Sequence, residues 1–230
     1  MAHKRHRMNF THWICLVCFV FSINAWGLPE EFVYLDEAVP GIRIDLKYAG
    51  EDNFMGRPVI GYVSQRTVLT KPAAEALKGV QSDLKPFGLE LLVFDTYRPQ
   101  QAVDDFVAWS KDFSETRTKA RYYPKLGKEV LFAEGYIAEK SGHTRGSTVD
   151  LTIIGSSPMS KPLDMGTRFD YFGPESWPEY ADVSSQQRAN RLLLRTLMRK
   201  HGFKPYDQEW WHFTYENEPY PDTYFNFVVY

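Results

Sequence analysis

Residues 89–97, LELLVFDTY, are a short, strongly apolar run stopped by Arg98-Pro99, which reads as a buried strand. Two other segments read as strands beside it: TVDLTII at 148–154 and the aromatic EWWHFTY at 209–215. GIRIDLKYA at 41–49 sets Ile42, Ile44 and Leu46 against Arg43, Asp45 and Lys47, the period of two of a half-buried strand. Between them lie helical patterns. Residues 70–85 begin at Thr70 as cap and Pro72, with Ala73, Ala76, Leu77, Val80 and Leu84 on one face. Residues 100–112 start after Pro99 and turn Val103, Phe106, Val107 and Trp109 inward. Residues 184–201 are capped by Ser184, bury Leu192, Leu193, Leu197 and Met198, and stop at Gly202. NFMGRPVIGYV at 53–63 is broken by Gly56, Pro58 and Gly61 into loop or irregular edge. This order predicts an α+β domain, with helices packed on a mainly antiparallel sheet.

The first 27 residues are set apart. MAHKRHR is basic, WICLVCFVFSI at 13–23 is apolar, and Ala25 and Gly27 supply small residues for a cleavage site after Gly27, the layout of a secretory signal peptide. An apolar run of that length falls short of the roughly 20 residues of a membrane span. Cleavage leaves 28–230 as one domain, periplasmic or, alternatively, secreted, with no stable membrane insertion. Cys15 and Cys18 both lie in the leader, so the mature chain has no thiol nucleophile, thiolate metal site or disulfide. A formal net charge of −2 argues against nucleic acid as a partner and leaves a small ligand as the default.

Of six histidines, only His143, His201 and His212 remain after the leader. His201 precedes the Gly202 stop, where an imidazole complements the helix dipole. His143 sits in SGHTRGSTVDLTII, and Asp150 enters the apolar strand of the same stretch, where a carboxylate is costly unless paired or bound to a metal. Taken alone, the stretch is equally a polar loop with Asp150 in turn hydrogen bonds. Adding His212 of EWWHF makes a His/Asp/His set that leaves a fourth position of a tetrahedral metal open. Glu209 lies three residues before His212, and on a regular strand the two would face opposite sides, so both reach one metal only through a bulge or a strand start. In FDTYRP, Asp95 and Arg98 emerge at the end of the buried strand. Arg98 can donate to a developing oxyanion, or the two can simply form an ion pair.

FDTYRPQQAV, SGHTRGSTVDLTI, LDMGTRFDYF and EWWHF, in this order, resemble the VanX-type D-alanyl-D-alanine dipeptidases, zinc enzymes related to bacterial D,D-carboxypeptidases and to the hedgehog N-terminal domain. The resemblance extends to LDEAVPGIRIDLKYAGEDNFMGRPV at 35–59. It implies one Zn²⁺ held by His143, Asp150 and His212, Glu209 as general base and acid, and Arg98 steadying the tetrahedral intermediate. Ser141 would contact the substrate, Asp164 with Tyr48 would hold its free ammonium group, and Asp95 would support Arg98. Arg145 is left as a solvated loop charge. The implied reaction is hydrolysis of a small D,D-dipeptide. The alternatives are a D,D-carboxypeptidase or endopeptidase trimming peptidoglycan stem peptides, a non-catalytic zinc-binding module, and motifs that are purely structural.

Overall fold

The computed structural model describes residues 28–230, so the expected leader at 1–27 and its cleavage lie outside the described residues. Seven strands and five α-helices follow in the order β1 (Phe32–Tyr34), α1 (Leu35–Ala38), β2 (Arg43–Ile44), β3 (Val68–Thr70), α2 (Lys71–Leu84), β4 (Leu89–Asp95), α3 (Gln100–Lys111), α4 (Lys119–Tyr122), β5 (Thr148–Gly155), α5 (Ser185–Lys200), β6 (Phe203–Tyr206) and β7 (Glu209–Tyr215). β1 and β3 pair as an antiparallel ribbon, and the others form a five-stranded sheet in the order β2-β4-β5-β7-β6. Only the β2-β4 pair is parallel, so the mixed α/β, antiparallel-rich expectation holds. No helix among the described residues is long and apolar enough to cross a membrane.

The centre of the sheet is buried on both faces. In β5, Val149, Leu151 and Ile153 alternate with Thr148, Asp150, Thr152 and Ile154, and every one of them is buried. α2 packs on β4 and on α5, burying Ala73, Leu77, Val80 and Leu84. α3 instead brings Val103 and Phe106 to the side on which Asp150 opens into a cavity.

Several expectations are corrected. The strand at 41–49 shrinks to Arg43–Ile44, and Lys47–Ala49 winds into a 3-10 turn, because β2 pairs with β4 for two residues only. Thr70 occupies the cap position of α2, yet its hydroxyl bonds Ser147 Oγ at 2.7 Å instead of the helix amides. Ser184 does cap α5, in a reciprocal box with Gln187. Leu192 and Leu193, expected inside, are 52% and 38% exposed. The inner face of α5 carries Asn190, Arg191, Leu194 and Met198, because Arg191 turns in to donate to the carbonyls of Met165, Glu175 and Trp177. His201 caps α5 through its backbone, while its ring reaches Asp83 of α2 at 2.7 Å and so ties two helices together.

The irregular C-terminal segment after β7 has a role that periodicity does not announce. Phe227 stacks on Tyr97 with ring centroids 4.1 Å apart, and Phe225 packs edge-on against Phe32. Phe225 also exchanges backbone hydrogen bonds with both functional loops, donating to Thr144 and accepting from Gln100. Arg145 is not solvated. It forms a two-pronged pair with Glu218 at 2.8 Å that fastens this segment to the loop holding His143.

Candidate metal centre and active site

Three neighbouring strands supply one row of side chains. Asp150 in β5 is directly opposite His212 in β7 and Asp95 in β4. The β4-β5 register shifts between Val93 and Asp95, a bulge that aims Asp95 at the site rather than into the opposite layer. The geometric difficulty with Glu209 and His212 is met at the edge of the sheet. The β6-β7 register breaks between Pro205 and Tyr206, and the described β5-β7 pairing runs only from His212 onward. Glu209 therefore sits at a strand start outside the regular ladder, with Oε2 3.5 Å from His212 Nδ1.

His143 arrives from the 3-10 turn Gly142–Arg145, which Ser141 caps by accepting from the His143 amide. Gly146 ends this turn with φ +82°, and a Cβ there would lie 2.2 Å from the Phe32 ring, so only glycine fits. His143 Nδ1 donates to the Thr96 carbonyl at 2.7 Å, which fixes the tautomer and turns the Nε2 lone pair toward the site. Burial, opposed by Asp150, moves this imidazole below its usual pKa, which favours the neutral form that a metal binds.

The three donors converge. His143 Nε2 is 3.2 Å from Asp150 Oδ2 and 3.3 Å from His212 Nδ1, which is 3.0 Å from Asp150 Oδ1. A tetrahedral metal with bonds of about 2.0–2.1 Å has ligand–ligand edges of about 3.3–3.4 Å, so the set matches such an ion with little movement. Asp150 Oδ1 is buried and, although His212 Nδ1 lies 3.0 Å away, accepts no well-directed hydrogen bond, which is costly unless something cationic lies against it. Burial acts to raise the Asp150 carboxyl, but His143 and His212 outweigh it and hold the group well below the usual carboxylate range. Among the described residues, these three make the one cluster with metal-ligand geometry.

Around the cluster the groups divide into two kinds. Arg98 is clamped by Asp95, its Nε and Nη2 at 3.0 and 2.9 Å from Oδ2, and Asp95 Oδ1 accepts from the Tyr62 hydroxyl at 2.6 Å. Arg98 lines the cavity with 12% of its side chain exposed, over the rings of Tyr48 and Phe106, so the Asp95 ion pair and an oxyanion-donor role coexist. Burial pushes the Glu209 carboxyl up, with Asp150 adding to the shift and His212 opposing it, as suits a group that must accept and return a proton near neutral pH.

The cavity has a volume of about 260 Å³, below the about 300–1,000 Å³ of sites for drug-sized ligands. Ser141, Tyr48, Arg98, Glu209 and the metal cluster all line it, as sequence reasoning anticipates. Asp164 does not. It is exposed, accepting from the Gly166 amide and the Gln187 side chain, and takes no part in the cavity wall. The carboxylate that faces Tyr48 is Asp170, at the end of the same LDMGTRFD stretch, 4% exposed and bonded by the Tyr48 hydroxyl at 3.1 and 3.0 Å. Asp170 is the one described non-glycine residue at positive φ, +59°, a conformation that aspartate tolerates better than most and that turns it inward. Burial, followed by the nearby Asp150 and Glu209, drives its carboxyl well above the usual range. That is the signature of an acid lacking a sufficient cation. The sequence does hold a signal for it, an aspartate ending an Arg-Phe-Asp run, but spacing alone does not choose between Asp164 and Asp170.

The comparisons with known proteins agree with this geometry. The family described as D-ala-D-ala dipeptidase, Peptidase_M15, matches residues 29–230. A D-alanyl-D-alanine dipeptidase of Streptomyces coelicolor is 46% identical over 199 residues, spanning 86% of this chain and 98% of its own. One of Enterococcus faecalis is 42% identical over 86% of this chain and 98% of its own, and one of Escherichia coli is 34% identical over 80% and 83%. With matches that run along almost the whole described chain, and a convergent His/Asp/His cluster beside a buried glutamate, this protein belongs to the Peptidase_M15 family of D-ala-D-ala dipeptidases.

Proposed function

We propose that the chain is a zinc metallopeptidase that hydrolyses D-alanyl-D-alanine to two molecules of D-alanine. The names of the relatives support the substrate, and the donor set His143, Asp150 and His212 supports the metal. Two imidazoles and one carboxylate with a fourth side open suit Zn²⁺. When bound there, zinc would polarise the scissile carbonyl and lower the pKa of water toward about 7.

The chain's own residues perform the remaining tasks. Glu209 takes a proton from the attacking water and returns it to the departing amine, which its burial and raised pKa favour. Arg98, immobilised by Asp95, donates to the oxygen on which charge develops. Ser141 offers its hydroxyl at the cavity wall to the substrate backbone or carboxylate. Asp170, positioned by Tyr48, receives the substrate's ammonium group. The observation that carries the reading is this buried acid, held by the Tyr48 hydroxyl at the cavity wall: a longer peptide would present an amide there, which cannot form the ion pair that a free ammonium group forms with Asp170. The same argument weighs against the D,D-carboxypeptidase and endopeptidase alternatives.

The test is metal analysis of the purified protein together with turnover of D-alanyl-D-alanine and of an N-acylated tripeptide. About one zinc per chain and turnover of the free dipeptide alone are expected. Comparable turnover of the blocked peptide would replace the dipeptidase with a carboxypeptidase, and absence of zinc would remove the mechanism.

Two finer readings belong to the same proposal. The motifs S-x-H-x-x-G-x-x-x-D and E-x-W-H support kinship with the hedgehog N-terminal domain. The leader at 1–27 supports export to the periplasm, which favours envelope turnover over destruction of cytoplasmic precursors. Cell fractionation with N-terminal sequencing tests export: a mature chain beginning near Leu28 outside the cytoplasm is expected, and an uncleaved cytoplasmic chain would refute it.

A further inference from the structure

Arg98 has two carboxylates within reach. Its Nη2 is 2.9 Å from Asp95 Oδ2 and 3.7 Å from Oδ2 of the metal ligand Asp150. Which of them keeps the guanidinium decides where its remaining donors point. Asp95 offers Arg98 a single oxygen, since Nε and Nη2 both meet Oδ2. A carboxylate gripped at one oxygen can still turn about its last torsion, which is broad in aspartate. The other oxygen, Oδ1, accepts from the Tyr62 hydroxyl at 2.6 Å, and this second grip stops the turn.

Tyr62 takes no part in the cavity wall, so it does not meet the substrate. It is nevertheless fixed from several directions. Its backbone bridges Val229 of the C-terminal segment, and the Ser64 hydroxyl donates to the Val229 carbonyl at 3.3 Å. Its ring stands edge-on to Tyr48, with centroids 5.5 Å apart. Gly61, at φ +93°, lets the loop close on the helix start that follows Arg98, where a Cβ would lie 2.8 Å from Pro99 Cγ. The phenol therefore reaches Asp95 from a rigid base.

We propose that Tyr62 is a positioning residue of the reaction: by holding Asp95 Oδ1 it keeps Arg98 on Asp95 and off Asp150, with its donors aimed at the oxygen on which charge develops. The inference deepens the proposed function and rests on it for the task of Arg98. Arg98 is needed once that charge has developed, so loss of the Tyr62 hydroxyl should be felt in the transition state and not in binding of the dipeptide.

The experiment compares the zinc-loaded full chain with its Tyr62→Phe variant, which removes one oxygen and keeps the ring against Tyr48. kcat is expected to fall about tenfold, the scale of one hydrogen bond to a charged group, with KM within about twofold and zinc content unchanged. Arg98→Lys lacks the Nε donor, and in that background Tyr62→Phe should lower kcat less than about twofold further, because a residue acting through Arg98 has nothing left to position. A merely structural role would shift unfolding in urea without confining the loss to kcat and without this non-additivity. Side-chain NMR reads the same contact without turnover. The Arg98 Nε–H signal, identified by its loss in Arg98→Lys, should be sharp and slow to exchange in the wild type and broadened in Tyr62→Phe. An unchanged kcat, a loss confined to KM, losses that multiply in the double variant, or an unchanged Nε–H signal would each overturn the role. If Tyr62→Phe does not fold, para-aminophenylalanine in place of Tyr62 keeps a weaker donor of the same shape and should lose about threefold, again in kcat alone; no loss would overturn the role equally. An inactive wild type would mark failure of the dipeptidase reading, while the NMR comparison still decides the contact, so the two failures remain separable.

Discussion

The two ends of the catalytic cavity are built differently. At the metal end, Asp95, Asp150 and His212 form a row across three paired strands, with their spacing set by the ladder itself. At the opposite end, Tyr48 comes from a 3-10 turn and Asp170 from an irregular segment at positive φ. A polarising ion needs several donors held to within tenths of an ångström, and a sheet with covered faces supplies that rigidity. Recognition of an ammonium group needs one buried acid in one direction, and a loop can supply that if the residues around it are locked. The sheet end would thus carry the chemistry and the loop end the choice of substrate.

The largest effects should come from the sheet. Asp150→Ala or His212→Ala is expected to abolish metal binding and to lower kcat/KM at least about a thousandfold, since a polarising metal supplies several kcal/mol. Full activity in a metal-free variant would show that the row is structural only. Glu209→Gln should retain the metal and lose about 10²–10⁴-fold in kcat, the scale of general acid–base catalysis; unchanged kcat would remove the proton-transfer role.

At the loop end, Asp170→Asn should lower kcat/KM for the free dipeptide about a hundredfold and narrow the gap to an N-acylated substrate, with the metal retained. Asp164→Asn should stay within about twofold of the wild type, because a surface substitution has little to disturb. Equal losses in the two variants would cancel the distinction between these aspartates.

Smaller effects test the supports. Arg145→Ala leaves Glu218, 12% exposed, without its partner and should cost about 1–3 kcal/mol in urea unfolding. A change of only a few tenths would mean that the aromatic rings and backbone hydrogen bonds of the C-terminal segment hold it without the ion pair. Smallest of all, Leu192→Lys should alter stability by no more than about 0.5 kcal/mol. A loss several times larger would reveal that something covers the outer face of α5.

Much of the metal end was legible in the linear sequence. His143, Asp150, Glu209 and His212 stood in short motifs, and the apolar runs around them announced the strands. The loop end was only half legible. Tyr48 lines the cavity as the resemblance implies, but the same resemblance points to Asp164 where the fold presents Asp170. The two lie on one short stretch, and only the inward turn at Asp170 decides which is buried. The pairing of Arg145 is hidden from the sequence for a related reason. Its partner Glu218 is 73 residues away, in a segment without periodicity. Leu192 and Leu193 face outward because Arg191, apolar along most of its stem, takes an inner position on α5 that a count of leucines assigns elsewhere.

The sequence by itself determined the alternation of strands and helices, the absence of cysteine from residues 28–230, and a His/Asp/His set with its glutamate, because local periodicity and short motifs record contacts between residues close along the chain. Only the tertiary structure decided that a register break lets Glu209 and His212 share a site, that Asp170 rather than Asp164 closes the cavity, and that the C-terminal segment braces both functional loops. Those outcomes depend on strand register, on one residue's backbone angle and on partners far apart in sequence, none of which any local pattern encodes.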